Sequence, residues 1–352
     1  AGVNIVYGFA GLKIHAKLCL VVRREADGMT RYVHISTGNY NPSTAKIYTD
    51  YALFTANAAI CADVSDLFNV MTGYSDQTTY RRLVVSPHST RSSIVAAIER
   101  EAAEHQKTGK GEIIFKCNQL VDRAVIQALY AASQAGVKIS LIVRGICCVR
   151  AGVPGKTENL HIRSLVGRYL EHGRIYSFYD GVTTRIYIAS GDFLTRNTEC
   201  RVEVGVRVED PVLIQKLSDI LQLQLRDNVN AREMRADGSY QKVKAAPGEP
   251  LVNGQMDMYD LLRDDWLARN AASAAEPEQP EPKAPERPSE PETRPEPVQV
   301  AEQPAEPAKQ PATVKAAPAP AVQSAPAPHA VDRAERHGHP SLFQRLHDWL
   351  RR

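Results

Sequence analysis

One pattern occurs twice in this chain, and it constrains the fold more than any other feature. The first copy reads His15-x-Lys17, an apolar run, an Asp27-Gly28 turn, a returning run, the loop Ser36-Thr37-Gly38-Asn39, and a strand-like stretch containing Asp50. The second reads His172-x-Arg174, an apolar run, an Asp180-Gly181 turn, a returning run, the loop Ser190-Gly191-Asp192, and a strand-like stretch containing Glu203. Histidine, cation, hairpin, small-residue loop and acid keep their order. Asp-Gly between apolar runs signals a hairpin. Residues two apart in a strand share a face, so 13–22 reads as a strand with His15 and Lys17 side by side. A duplicated unit predicts pseudo-twofold packing, with the two histidines facing one another across a cleft.

The residue types point to anion chemistry. A neutral imidazole is a nucleophile at physiological pH, and an adjacent ammonium favours an anionic reactant. Two such histidines suit phosphoryl or phosphodiester transfer. One attacks phosphorus, and the other protonates the leaving group or steadies charge. Lys17, Arg174 and Arg144 stand ready to neutralise phosphoryl oxygens. The loop 36–42 is rich in small and turn-forming residues whose backbone N–H groups can converge on an anion, which makes Asn39 a phosphate-binding candidate.

The remaining pattern is α/β. Residues 3–7 alternate like a strand, and 48–54 read as another. Asp63 is expected to cap a helix to about 71, ended by Gly73. Strand 83–85, a helix capped at Ser89 or Thr90, strand 112–116, a helix after Asp122 to 134, and strand 138–143 form a strand–helix–strand series with a parallel pair. Ligands gather beyond the C-terminal ends of such strands, which is where Arg144 stands. Strands 185–189 and 201–208 follow, then a helix over 211–225 with Pro211 at its favoured first position.

Composition divides the chain. Fifteen of the 22 prolines fall between Pro277 and Pro328, so 1–270 reads as folded and 271–335 as a disordered linker. The net charge of +3 is too small to argue for nucleic acid. Residues 274–310 carry nine Glu against four Lys and Arg, which leaves the folded part more basic and suited to a polyanion. Six cysteines without C-x-x-C spacing read as small buried hydrophobes in a reducing compartment. No run of 18 apolar residues and no signal-peptide pattern occurs, which predicts a cytoplasmic protein. In 336–352, Leu342, Phe343, Leu346, Trp349 and Leu350 share one helical face with Arg345, Arg351 and Arg352 beside it. This short amphipathic basic helix suits a protein partner or the inner membrane surface, making the protein peripheral there.

Longer stretches carry a resemblance. They are GLKIHAKL, YVHISTGNYNPSTAKIYTDYALFTA, DVSDLFNVMTGYS, LIVRGICCVRAGVPGKTENLHIRSLVGRYLEHGRIYSF and TRNTECRVEV. The two-half layout resembles the phospholipase D superfamily. Within it, 3–245 resembles the C-terminal catalytic half of bacterial polyphosphate kinase, type 1. The resemblance implies an α/β fold of two phospholipase D-like halves, each a mixed sheet flanked by helices, before the disordered Pro/Ala/Glu-rich tail. The expected division is 1–82 for the remainder of the first catalytic domain and 83–270 for the second. It implies reversible polyphosphate synthesis from ATP through a phosphohistidine, with Mg2+, and with ATP, ADP and inorganic polyphosphate as ligands. By position, His15 resembles the phosphorylated histidine and His172 the second catalytic histidine beside the ATP phosphates. Tyr48 and Arg144 resemble nucleotide-binding positions. Lys17 and Arg174 enter from charge and spacing, and no metal ligand is assigned.

Two departures are conservative: Ser36 stands where the family usually has Gly, and Phe193-Leu194 where Trp-Met is common. The abrupt start reads as an N-terminally truncated fragment. The family's amino-terminal domains, which contribute adenine contacts, magnesium-associated arginines and the contacts of a homo-oligomer, have no counterpart in it. Two alternatives stand beside the kinase reading. A phospholipase D-type phosphodiester hydrolase is disfavoured because 18–22 lacks the Asp that commonly follows its H-x-K. An inactive fragment that only binds polyphosphate is the other.

Overall fold

A computed structural model describes residues 3–8 and 11–275. The first repeat unit holds β1 (Lys13–Ile14), β2 (Leu18–Glu25), β3 (Gly28–Ser36), α1 (Pro42–Ala45), β4 (Tyr48–Thr49), β5 (Ala52–Thr55) and α2 (Ala58–Met71). Next come β6 (Leu83–Ser86), α3 (Thr90–Thr108), β7 (Glu112–Cys117), α4 (Arg123–Gln134), β8 (Lys138–Val143) and β9 (Leu160–Leu165). The second unit holds β10 (Leu170–Glu171), β11 (Arg174–Tyr179), β12 (Thr184–Ala189), α5 (Thr195–Glu199), β13 (Arg201–Val208) and α6 (Pro211–Leu225). Strands β14 (Ala231–Met234) and β15 (Tyr240–Lys242) and helix α7 (Met256–Ala275) follow.

The architecture is α/β, built on a large mixed sheet flanked by helices. Its strand order is β1-β13-β12-β11-β7-β8-β9-β14-β15, with β6 also on β13. Strands β7, β8 and β9 run parallel, and β7 and β8 are apolar almost throughout because both faces are covered. On one face, Ile94 and Ile98 of α3 and Leu129 of α4 pack against Phe115, Leu141, Tyr176 and Phe178. On the other, Val64 and Leu67 of α2 and Leu221 of α6 join Val85, Ile186 and Val204. The first unit has its own antiparallel sheet, β2-β3-β5. Its hairpin follows the Asp27-Gly28 signal, with Glu25 opposite Gly28.

Helix ends follow local chemistry. The Asp122 carboxylate accepts from the N–H groups of Ala124 and Val125 to start α4. Asp210 does the same for α6, with Pro211 in the first turn.

Five expectations need correction. Residues 3–7 form no strand with any of the described residues, and Val3, Ile5, Val6 and Tyr7 are exposed. The strand read over 13–22 is broken at 15–17, where the chain leaves the large sheet for the small one. The stretch 48–54 likewise divides into β4 and β5. Asp63 does not cap α2; Asn57 does. Asp63 is fully buried inside that helix, accepting from the N–H groups of Arg82 and Leu83 and from Arg81, so it ties α2 to the start of β6. All six cysteines are unpaired; Cys61 and Cys117 are buried, but Cys19, Cys148 and Cys200 are exposed.

Helix α7 continues past residue 270 to Ala275. The linker and the amphipathic helix expected in 336–352 lie outside the described residues. Among the described residues no helix is long and apolar enough to cross a membrane.

Candidate active site

The two repeat units exchange their short strands. β1 pairs in parallel with β13, placing Ile14 opposite Val202. β10 makes the matching move onto β4, placing Glu171 opposite Thr49. The His15 N–H then donates to Val202 O at 3.0 Å, and the His172 N–H to Thr49 O at 3.2 Å. Each histidine and each acid stands one residue beyond the paired positions of the two short pairings. His15 Nδ1 therefore meets Glu203 Oε2 at 2.9 Å, and His172 Nδ1 meets Asp50 Oδ1 at 2.7 Å. Each histidine is held by the carboxylate of the other unit.

The acids are held in matching ways. Thr37 Oγ1 donates to Asp50 Oδ1 at 2.6 Å and accepts from the Tyr51 N–H at 3.0 Å. Ser190 Oγ donates to Glu203 Oε2 at 2.5 Å and accepts from the Val204 N–H at 3.0 Å. Asn197 Nδ2 adds a bond to Glu203 Oε1 at 2.6 Å. The next loop residue must be glycine in both units. A Cβ on Gly38 would fall 2.5 Å from Asp50 Cγ, and one on Gly191 2.8 Å from Glu203 Cγ.

Charge and burial set the protonation states. Glu203 is 2% exposed. Burial pushes its carboxyl up, but the hydrogen bonds of His15, Ser190 and Asn197 outweigh this and hold it below the usual range. An ionised Glu203 only accepts, so the proton sits on His15 Nδ1 and the Nε2 lone pair is left outward. Lys17 Nζ stands 3.1 Å from His15 Nδ1 and 3.0 Å from Nε2. Burial, only partly offset by Glu203, lowers Lys17 to about 8. Among the described residues no carboxylate pairs with it. Arg174 stands in the same relation to His172, its Nη1 at 3.4 and 3.1 Å from the two ring nitrogens. Unlike Lys17 it is clamped, at 3.2 and 3.0 Å, by Asp192. Burial pulls His172 below the ordinary imidazole value, with Arg174 adding to the effect and Asp50 opposing it.

The other expected residues gather unevenly. The Tyr48 ring centroid lies 4.9 Å from that of His172. Arg144 Nε donates to Asn118 Oδ1 at 2.5 Å, and Asn118 Nδ2 donates to His172 O at 3.0 Å, so Asn118 couples the two. Asn39 is exposed and its side chain bonds to neither histidine. His34 faces Tyr40 at 2.8 Å and packs on Phe54, in a small cluster of its own.

Sequence reasoning placed Asp50, Asp192 and Glu203 in the repeat but not in the site, and passed over Asn118. It also missed the buried pair beneath His172. Lys116 Nζ meets Glu171 Oε2 at 2.6 Å, and Thr49, Gln224 and Gln255 also donate to that carboxylate. Fully satisfied in this way, it fixes the β10–β4 crossing that positions His172.

A protein-held magnesium ion does not fit these residues. Asp50, Glu203 and Asp192 are each turned onto His172, His15 and Arg174. No cluster of three His, Cys, Asp or Glu with metal-holding geometry occurs among the described residues.

Comparison with known proteins finds relatives along most of this chain. Residues 1–77 match the family model "Polyphosphate kinase C-terminal domain 1", and 83–255 match "Polyphosphate kinase C-terminal domain 2". A polyphosphate kinase of Prosthecochloris aestuarii is 52% identical over 254 residues, which is 72% of this chain and 35% of that protein. One of Pseudomonas aeruginosa is 42% identical over 262 residues, covering 74% and 38%. The crystal structure of polyphosphate kinase from Porphyromonas gingivalis superposes with a TM-score of 0.70 at 38% identity, over 75% of this chain and 41% of that one. The chain thus spans about a third of the length of the relatives it matches.

Proposed function

Because the chain belongs to the polyphosphate kinase family and carries its two C-terminal domains, we propose that His15 takes the terminal phosphate of ATP and passes it, reversibly, to polyphosphate. One observation carries this reading. Glu203, ionised and buried, holds the proton on His15 Nδ1 and leaves Nε2 as a nucleophile beside Lys17.

The Nε2 lone pair attacks the terminal phosphorus of ATP. The bond from that phosphorus to the bridging oxygen breaks, and its electrons leave with ADP. Positive charge that builds on the imidazole is met by Glu203 at 2.9 Å. Lys17, Arg174 and Arg144 neutralise the phosphoryl oxygens, and Tyr48 and Arg144 hold the nucleotide beside His172. In the second step a terminal oxygen of polyphosphate attacks the phosphohistidine and the P–N bond breaks. His172 starts neutral, its Nδ1–H donating a hydrogen bond to Asp50, so its Nε2 can take a proton from the incoming terminal phosphate. No step runs through a protein-bound metal.

The test is labelling. The full polypeptide bearing this stretch, incubated with γ-labelled ATP, should carry acid-labile, alkali-stable label on His15. Label that persists in His15→Ala refutes the assignment.

A further inference from the structure

The two short pairings match in position but differ in the kind of residue they bring together. On the His172 side, β4 sets Tyr48 opposite Leu170. On the His15 side, β13 sets Arg201 opposite Lys13. Tyr48 stands two residues before Asp50, and Arg201 two before Glu203, so each shares a strand direction with the acid that holds the histidine. The interval that separates Asp50 from Glu203 also separates Tyr48 from Arg201. An aromatic and an aliphatic residue on one side are thus exchanged for two cations on the other.

Little within the protein engages Arg201. Its Nη1 lies 4.0 Å from Glu203 Oε1, beyond hydrogen-bond reach, and that oxygen already accepts from Asn197 at 2.6 Å. Among the described residues its guanidinium donates no hydrogen bond, and Lys13 meets no carboxylate. Burial is the chief reason that Lys17 is lowered, and the charge of Arg201 adds to it, which sets the guanidinium within electrostatic reach of the nucleophile's surroundings. A planar fork of five donors left open beside a histidine suits a ligand with several anionic oxygens.

In-line transfer makes the oxygen that leaves with ADP and the oxygen that attacks from polyphosphate share one position opposite His15 Nε2. The two ligands can then be told apart only by where the remainder of each one runs. A nucleotide has an aromatic base to lay against Tyr48, whose ring centroid is 4.9 Å from that of His172. An inorganic chain has no apolar surface and needs cations along its length. We infer that Arg201, with Lys13 opposite it, holds the polyphosphate chain on the His15 side and so selects it from the nucleotide. The inference deepens the proposed phosphotransfer and rests on it for the identity of the anion, but equilibrium binding reads it without any transfer.

Inorganic tripolyphosphate and ADP are titrated separately into this chain by calorimetry, at one fixed ionic strength because binding of a polyanion is screened by salt. Arg201→Met should weaken tripolyphosphate at least about tenfold and leave ADP within about twofold of the parent. Tyr48→Ala should give the reverse pattern. If Arg201→Met lowers the melting temperature, Lys13→Met decides in its place, since that side chain is exposed; it should weaken tripolyphosphate about threefold and spare ADP. A parent chain that does not bind tripolyphosphate, parental affinity in the deciding variant, or equal loss of both ligands overturns the inference. Label that persists in His15→Ala would refute the transfer and leave these affinities standing, whereas unchanged affinities would overturn this assignment and leave His15 labelled.

Discussion

Replacing Glu203 with glutamine removes the charge behind His15 while keeping its shape. In the parent, Glu203 accepts from His15 at 2.9 Å, from Ser190 at 2.5 Å and from Asn197 at 2.6 Å. All three neighbours are donors, so the new NH2 finds an acceptor only if Asn197 turns its amide over. The least costly arrangement puts the NH2 beside Asn197 and leaves the carbonyl to His15 and Ser190. The His15 bond then falls from a charge-assisted one, worth about 1.5–3 kcal/mol, to a neutral one of about 0.5–1.5 kcal/mol. The ring also loses its counter-charge as the N–P bond forms. A total loss of about 1.5–3 kcal/mol corresponds to a fall of roughly 10- to 150-fold in phosphorylation rate. Phosphoramidate, which transfers a phosphoryl group to imidazole nitrogen with loss of ammonia, reads this without a nucleotide site. The rate at His15 is followed by 31P NMR. His172 serves as internal control, since its acid is Asp50. A Glu203→Gln chain with parental melting temperature that labels His15 within about threefold of the parent rate would refute the reasoning.

Other outcomes follow from the same geometry. Lys17 gives up its proton near pH 8, so tripolyphosphate affinity measured by calorimetry should weaken as pH rises through about 8. Lys17→Met should flatten that step, and a step that survives it counts against this lysine. Gly191→Ala drives a methyl into Glu203 and should slow His15 labelling while costing about 1–3 kcal/mol of stability; unchanged labelling would show that the acid has room to move. Lys116→Met strands the buried Glu171 and should cost about 3–5 kcal/mol in denaturant unfolding, with much of it restored by adding Glu171→Gln. A loss below about 1 kcal/mol would mean that water reaches the pair.

Elements governed by local chemistry were legible in the sequence. Helix 211–225 and strand 201–208 were read to the residue, because Asp210-Pro211 starts one and an uninterrupted apolar alternation makes the other. Asp63 misled because a buried acid inside a helix looks like a cap until its partners, the N–H groups of Arg82 and Leu83, are seen. The strand over 13–22 misled because apolar periodicity does not record that the chain changes sheets at His15. The histidines and their cations were legible because two residues of spacing fixes their adjacency. Their acids were not read as site residues. Each stands beside the other unit's histidine, and only the parallel β1–β13 and β10–β4 pairings bring them there. Exposed Cys19 was hidden for a similar reason. Its counterpart on β11 is Tyr176, which is buried under α3 and α4, and the first unit shows no such cover among the described residues.

The crossed pairing obeys the rule of an isologous dimer, in which residue i meets residue j and j meets i. Each unit leaves its histidine without a carboxylate until the other unit's strand is paired to it. The two units differ around their histidines by a short list of exchanges: lysine against arginine at 17 and 174, asparagine against aspartate at 39 and 192, glutamate against aspartate at 203 and 50. Swapping those pairs back, one at a time, is the direct way to ask which of them made the two histidines unequal.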